Sequence, residues 1–345
     1  MNSRVFLAAI IVLGLGCSLV CAQPQPSTFL KNRIGLTDAE IQQISQGQVV
    51  TKVLDTGSKY GMLVFGGVYV NAPIPKFAEA YRNVNNLLKD KVYIAVQEFS
   101  QGGKPPTIAD FARLELPKQD VDEVKGCKPG DCDIQIFDNV TALQSKINWS
   151  SPDRYKQANQ LVRERLVQGM TQYLSGGLQA LGNYRDRENP LNLYQATKEM
   201  VDRSFYIPKE KMPGIYNHVV DYPKGKMAGA DDFFYWQNMD FGQGPTIRVD
   251  HVTIFPGSYG PIQSIVADKQ LYCTRYIRLA LQMFYCVQDS QNPNKPGFYL
   301  LEMNDSQLPD FGGLKLSIVR KVATGKSVEG TTNTLALFKR ILEGK

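Results

Sequence analysis

Apolar positions change period along this chain, and the changes mark out its elements. Leu36-Thr37-Asp38-Ala39-Glu40-Ile41 reads as a helix start. Thr37 and Glu40 make a capping box and Leu36 can staple to Ile41, opening a short helix that ends near Gly47. Residues 49–54 and 62–70 are β-branched runs separated by Asp55-Thr56-Gly57-Ser58, so a hairpin is expected, stopped by Asn71-Ala72-Pro73. Ile74, Phe77, Tyr81, Val84 and Leu88 then recur at helical spacing, and Val92-Tyr93-Ile94-Ala95-Val96 follows as a strand.

Short helical pieces are expected at 107–113 and 118–125, then a turn between two cysteines and a strand at 133–137. Ser151-Pro152-Asp153 offers a cap with proline at the first helical position. The helix it opens carries Ala158, Val162, Leu166, Met170, Tyr173, Leu174, Leu178 and Leu181 on one stripe, about seven turns long. Gly176, Gly177 and Gly182 weaken its end, and 191–201 gives a shorter helix. Beyond Pro223 the period shortens to that of strands at 233–241, 246–255, 262–273, 276–287 (where a helix is the alternative), 298–303 and 314–322. A last helix of about three turns uses Leu335, Phe338, Ile341 and Leu342. The order reads as α+β: an antiparallel sheet packed on a long helix and closed by a C-terminal helix. Residues 23–345 are expected to form a single composite domain, with an N-terminal α+β part at 23–138, a helical part at 139–215, and the sheet and terminal helix at 216–345. No internal repeat is visible.

The first 22 residues stand apart. Arg4 precedes an uncharged apolar run from Val5 to Val20, and Val20 and Ala22 supply the small residues of a cleavage site, so a secretory signal peptide cleaved near Ala22 is expected, with a periplasmic or secreted mature chain. A retained anchor needs about 20 apolar residues, and neither Cys17 nor Cys21 has the residues of a lipobox before it. No later stretch of the sequence has 18 uncharged apolar residues, so no transmembrane segment is expected in the mature chain. Across all 345 residues, 43% hydrophobic and 21% charged content excludes intrinsic disorder and a fibrous repeat. The net charge of +6 comes from 39 basic against 33 acidic residues with no long basic run, which argues against a nucleic-acid partner.

Export leaves Cys127, Cys132, Cys273 and Cys286 in an oxidising compartment. Pro129-Gly130 reverses the chain between Cys127 and Cys132, and a turn of this length can bring their Cα atoms within the ~7 Å that a disulfide needs. Cys273 and Cys286 have no glycine or proline between them; thirteen residues of regular structure span about 43 Å as a strand or 20 Å as a helix, so these two are expected to stay unbridged and buried. A zinc site at Cys127 and Cys132 lacks a second ligand pair. The acidic turn of Asp131, Asp133 and Asp138 lacks the spacing of a calcium loop. Neither His218 nor His251 sits in a zinc-binding motif, and no metal or cofactor is expected.

Other motifs fail on spacing. Gly325-Lys326-Ser327 would need a glycine at Arg320 to be a phosphate loop, Gly257-Ser258-Tyr259-Gly260 is one residue off a nucleophile elbow, and Gly242-Gln243-Gly244 is a turn. In the alternating run from Ile247 to Val252, Arg248 and Asp250 share one strand face while His251 shares the other with Val249. His251 is either a general base facing a pocket or a half-buried strand histidine with one hydrogen bond. Aromatics gather at Phe233, Phe234, Tyr235, Trp236, Tyr272, Tyr276, Phe284 and Tyr285, interrupted by Arg275 and Arg278. These two arginines must face solvent, meet carboxylates, or hold an anionic ligand head group.

The stretch Gly126-Cys127-Lys128-Pro129-Gly130-Asp131-Cys132-Asp133, with Tyr235-Trp236 and Asp250-His251-Val252 after it, resembles an uncharacterised family of exported bacterial proteins over roughly 45–345. No activity is attached to that family, so the resemblance implies no site. The element order is also similar to the START-like helix-grip fold, which implies an apolar ligand cavity, although that fold ends in a long helix and the terminal helix read above is short. The functional expectation is an exported protein binding a lipid-like or other small hydrophobic ligand in an apolar cavity under the late sheet, with Trp236, Arg248, His251, Tyr272 and Arg275 as ligand-binding candidates. The alternatives are an envelope hydrolase using His251 or acidic residues, and an envelope interaction or scaffold protein.

Overall fold

The computed structural model describes residues 26–100, 104–136, 140–205, 209–288 and 296–345. The expected signal segment with Cys17 and Cys21, as well as Phe137 and Asp138, lies outside the described residues. Helices α1 (Pro26–Asn32) and α2 (Asp38–Ser45) lead into the hairpin of β1 (Val50–Leu54) and β2 (Gly61–Val70), followed by α3 (Pro75–Arg82) and β3 (Tyr93–Glu98). The middle holds α4 (Lys118–Gly126), α5 (Val140–Gln144), α6 (Arg154–Leu181), a small ribbon of β4 (Asn183–Tyr184) and β5 (Leu191–Asn192), then α7 (Leu193–Ser204) and α8 (Pro213–Asp221). A meander of β6 (Asp231–Asp240), β7 (Pro245–Phe255), β8 (Ile262–Cys273), β9 (Leu279–Val287) and β10 (Phe298–Gln307) follows, and α9 (Gly313–Glu343) ends the chain.

Eight of these strands form one antiparallel sheet in the order β1-β2-β10-β9-β8-β7-β6-β3. The N-terminal hairpin joins one edge through β2 against β10, and β3 closes the other edge against β6. The fold is therefore the α+β arrangement that the sequence implies. Helices cover both faces. On one, α6, α7 and α8 pack Met170, Tyr173, Met200 and Val219 against Trp236, Val249, Leu281 and Tyr285. On the other, α3 and α9 bring Phe77 and Phe338 against Val68, Phe233, Val252 and Phe284. The alternation in β7 holds: Val249 and His251 face the α6 side, while Arg248 and Asp250 face the α9 side with Val252.

Local signals explain several boundaries. The Thr37 hydroxyl accepts from the Glu40 amide at 3.2 Å while the Thr37 amide donates to Glu40 Oε2 at 2.7 Å, the reciprocal cap read from the sequence. Helix α6 begins at Arg154 without a side-chain cap, because Ser151 Oγ instead accepts from the Asp153 amide at 3.1 Å in a turn ahead of it. Gly177 breaks the helical backbone of α6 with φ of 69°, and there its backbone meets the Tyr222 carbonyl so closely that a side chain has no room. Cys127 and Cys132 are bonded, with Cα atoms 4.7 Å apart, while Cys273 and Cys286 are free and buried.

Three expectations are corrected. The segment 314–322 is helix, not strand, and α9 runs for 31 residues instead of about three turns. Its leucines and β-branched residues alternate at the start, and a helix with apolar residues on two opposite sides mimics a strand in that window. The segment after Cys132 is extended without being a ladder strand: the Gln135 amide donates to Thr274 O at 2.8 Å and the Arg185 amide donates to Ile136 O at 2.8 Å, which ties it to loops. Residues 276–278 form a turn before β9, with Tyr276 at φ of 68°.

Strand β2 is buried along its whole length and crosses under α9 at Gly66. A Cβ there would sit 2.5 Å from Thr331 Cγ2 and 2.6 Å from Leu335 Cδ1, so glycine is what lets α9 approach the sheet. Gly66→Val is expected to push α9 away and lower the unfolding free energy by about 2–3 kcal/mol in a urea titration; an unchanged midpoint would refute this account of how α9 seats.

Candidate functional site

Two features occupy the α6 side of the sheet. The first is an apolar cavity of about 120 Å3, open on one side. Helix α6 supplies Ala158, Val162, Leu166, Gly169 and Met170 as one wall. The facing wall is Val121 and Val124 of α4, with Ile134 and Ile136 beyond the cysteine turn. Val249 of β7 and Leu271 and Tyr272 of β8 form the floor. Neighbouring residues of a strand normally point to opposite faces, yet Leu271 and Tyr272 both line this space. A bulge makes this possible: Val249 pairs with Tyr272 and Asp250 with Gln270, which leaves Leu271 as the extra residue. Its displaced carbonyl accepts a hydrogen bond from the Tyr184 hydroxyl at 3.0 Å.

Few polar groups reach the cavity. The side-chain Oε1 of Gln135 is buried with no hydrogen-bond partner, although its Nε2 donates to Ile277 O at 2.5 Å. The Tyr272 hydroxyl donates to Gln135 O at 3.2 Å, and burial raises its pKa. Arg165 is the one charged side chain of the lining; it donates to Gln168 Oε1 at 2.8 Å, and burial draws its guanidinium below the ordinary value. An accepting or anionic group on a bound molecule would relieve that desolvation. The free space is slightly less than the ~150 Å3 cavity that holds one benzene, so it suits an aromatic ring or the end of an acyl chain and not a whole lipid.

The second feature is a buried cluster that sequence spacing did not bring together. His218 from α8, Asp232 from β6 and His251 from β7 place their ligand-type atoms within 4.8 Å of one another. Asp232 Oδ1 lies 2.8 Å from His218 Nε2, 2.9 Å from His251 Nε2 and 2.9 Å from the Thr253 hydroxyl. The hydrogen-bond partners assign the tautomers. The Met227 amide donates to His218 Nδ1 at 2.9 Å, so the proton of that ring sits on Nε2 and goes to Asp232. The Tyr173 hydroxyl, 2.7 Å from His251 Nδ1, donates there, so His251 also gives Asp232 its Nε2 proton. Burial alone would raise the Asp232 pKa, but the bonds from His218 and His251 outweigh it and hold the carboxyl well below the usual range.

The donor set is that of a transition-metal site, but its surroundings do not fit one. A ligating histidine donates its other ring N–H to an acceptor, whereas His218 Nδ1 faces a donor. Two cations also crowd the centre: Lys226 Nζ is 3.1 Å from Asp232 Oδ2, and buried Lys269, pushed down to about 7 by desolvation, donates to Val219 O at 2.6 Å. The arrangement serves to hold Asp232 Oδ1 with three hydrogen bonds inside the core, beside the ion pair of Oδ2 with Lys226.

The other sequence candidates are dispersed. Trp236 is buried and its indole N–H donates to Asp110 O at 2.8 Å. On the opposite sheet face, Arg248 lies 2.5 Å from Asp250 and 3.3 Å from Asp268, and Asp268 also accepts from Tyr81 and Tyr235. Arg275 lies 2.6 Å from both Asp120 and Glu123, and Arg278 is 3.1 Å from Asp186, so both arginines meet carboxylates. His251 has both nitrogens occupied and its ring held between Phe234 and Tyr222, each 4.5 Å away between centroids, which leaves it no approach for a substrate. Of the five ligand-binding candidates, Tyr272 lines the cavity. The residues that sequence reasoning missed there, Leu271, Gln135, Arg165 and Gly169, carry no motif; the α6 stripe is the signal that points toward them. The chain matches none of the protein-family models, curated proteins or solved structures with which it was compared.

Burial lowers the His251 pKa from 6.5 to about 3. The unfolded chain therefore binds a proton that the folded one does not between these values, and stability falls as pH drops from 6.5 toward 3. Several carboxyls work in the opposite sense, Glu302 being raised to about 8 by burial, so the histidine is isolated by difference. Between pH 4 and 6 the wild type is expected to lose up to about 1.4 kcal/mol per pH unit more than His251→Gln in denaturant titrations. Parallel stability profiles would show that His251 is not held neutral.

Proposed function

We propose that this protein is exported and binds a small, largely apolar ligand in the cavity between α6 and the sheet. The observation that carries the reading is the cavity itself, whose lining is mainly aliphatic, with Gln135, Gln144, Arg165 and Tyr272 as its polar members. Such a lining favours burial of an apolar body and uses a few polar groups to orient one substituent. The ligand class that follows is a compact hydrophobic molecule, or one end of an acyl chain, with an acceptor or acidic group directed at Arg165.

The disulfide supports both parts of the reading. Bonds of this kind persist in oxidising compartments, which agrees with the signal segment read from residues 1–22. It also joins the end of α4, which carries Val121 and Val124, to the segment carrying Ile134 and Ile136, so it clamps the two pieces of one cavity wall. The START-like likeness rests on element order alone, and α9, at 31 residues, is longer than the terminal helix expected from the sequence. The cavity, however, lies on the face away from α9, so the ligand-binding reading stands on the cavity and not on that likeness.

The experiment is binding of benzoate, which pairs one aromatic ring with an anionic group, followed by saturation-transfer NMR, alongside native mass spectrometry of the purified protein before and after organic extraction. Gly169 lines the cavity, and a Cβ there meets only Leu181 Cδ2 at 3.9 Å. Gly169→Ala is expected to bind the probe normally and to gain about 1 kcal/mol of stability from helix propensity. Gly169→Phe fills the space and should weaken probe binding at least ~10-fold, the ~1.4 kcal/mol expected for losing one well-packed apolar contact, with an unchanged circular dichroism spectrum. Equal binding by wild type and Gly169→Phe, or repeated absence of any extractable ligand and of probe binding, would refute the proposal. Removing the clamp with Cys127→Ser and Cys132→Ser together should lower stability by only about 2 kcal/mol, because the closed loop is short, while weakening probe binding; unaltered affinity would show that the disulfide does not set the cavity wall.

A further inference from the structure

The first half of α9 has apolar residues on two sides, and only one of them packs on the protein. Leu316 is buried and Val319 and Ala323 are half-buried along one side. On the other, Leu314, Ile318 and Val322 are 78%, 58% and 48% exposed. With about 100° per residue these three share an arc of about 80°, centred roughly opposite Leu316. Gly325 falls within the same arc. Lys315 and Lys326 lie along one flank and Lys321 along the other, all exposed. The neighbouring Arg320 is already engaged: it turns toward the hairpin loop and donates to Lys59 O at 2.6 Å, pinning the helix in place.

Charge decides what this stripe fits. From residue 313 to residue 328 the helix has four basic side chains and no acidic one, its first turn has none of the acidic residues that the helix dipole favours there, and Glu329, which pairs with Lys326 at 2.9 Å, ends the basic stretch. A second copy of the chain meeting the stripe would set lysines against lysines. An anionic lipid surface accepts three aliphatic side chains between lysines whose stems lie in the interface and whose ammonium groups reach the phosphates. We propose that the exposed side of α9 between Leu314 and Val322 docks this protein, in a peripheral and reversible way, on a bilayer surface rich in anionic lipid. No described helix is long and apolar enough to cross a membrane, and the proposal needs none. It does not depend on the cavity reading.

The test places a fluorescent label on this helix face, so that binding through any other part of the chain is not mistaken for it. Gly325 is exposed, with no heavy atom within 4 Å of a Cβ built there, and Gly325→Cys takes a nitrobenzoxadiazole label without disturbing the fold. On vesicles of phosphatidylglycerol and phosphatidylcholine the label should shift to the blue and be quenched by spin-labelled lipid. With phosphatidylcholine alone, the apparent affinity should be on the order of 30-fold weaker, given Lys315 and Lys321 near the surface. Raising salt to 0.5 M should weaken anionic binding, and adding Leu314→Glu and Ile318→Glu should abolish the shift with thermal unfolding unchanged. The assignment is overturned by no shift on either vesicle, by equal shifts on both, or by a shift that survives the two glutamates. A concentration-dependent dimer that the glutamates dissolve, with no shift on vesicles, would reassign the stripe to self-association.

Discussion

Covering both faces of the sheet is the constraint from which the rest of the structure follows. A sheet with helices on one side can send its polar residues to water on the other, but here β2 is buried at every position and β7 at all but Pro245 and Ile254. Every polar side chain near the middle of the sheet must therefore find its partner inside the protein, since an unpaired buried charge costs several kcal/mol. His251 and Asp232 solve this on the α6 side, and Arg248, Asp250 and Asp268 on the α9 side, with Tyr81 and Tyr235 completing the Asp268 shell. A catalytic reading of His251 loses its basis here, because the same bonds that make the histidine tolerable in the core use both of its nitrogens.

Short-range physics was legible in the sequence. The Thr37 cap, the hairpin at Asp55-Gly57, the alternation that separates Arg248 from His251, and the cysteine turn all depend on residues within a few positions of each other. Long-range pairing was not. His218, Asp232 and His251 meet only because α8 packs over the open end of the β6–β7 hairpin, where Asp232 pairs with Thr253, and no local signal carries that register. The error at 314–322 has a more informative cause. Leu314, Leu316 and Ile318 alternate as in a strand, but they alternate because one side of the helix faces the protein and the other faces outward. A sequence pattern cannot tell a doubly apolar helix from a strand until the neighbours are placed.

The cavity was legible in one wall and hidden in the other parts. The α6 stripe announces a buried helix face, and Tyr272 was singled out among the aromatics of the late strands. The bulge that turns Leu271 to the same side as Tyr272 depends on how β7 and β8 are aligned, and the cysteine turn reads as a staple without showing that its flanks become a cavity wall. Arg165 carries no sequence signal of its own; only the packing of α6 on the sheet draws it into an apolar lining.

The parts of this cavity differ in stiffness, and that difference bears on how the proposed ligand would enter. Its floor belongs to the centre of the sheet, where β7 and β8 are paired on both edges and the adjoining His251–Asp232 network ties β6 and α8 to the same face. Opening from that side would break ladder bonds and strand a carboxylate that has lost its hydrogen bonds. The outer wall is made of short pieces, α4, α5 and the segment after Cys132, held together by the disulfide and by single bonds such as Gln144 Nε2 to Cys127 O at 2.8 Å. Displacing that wall as a unit breaks hydrogen bonds to loops, such as Gln135 N to Thr274 O, and the ion pairs of Arg275 with Asp120 and Glu123, but no pairing within the eight-stranded sheet. The disulfide then acts as a limit on how far α4 and the Ile134–Ile136 segment can separate, so a ligand of the proposed kind would enter by the outer wall and not through the sheet.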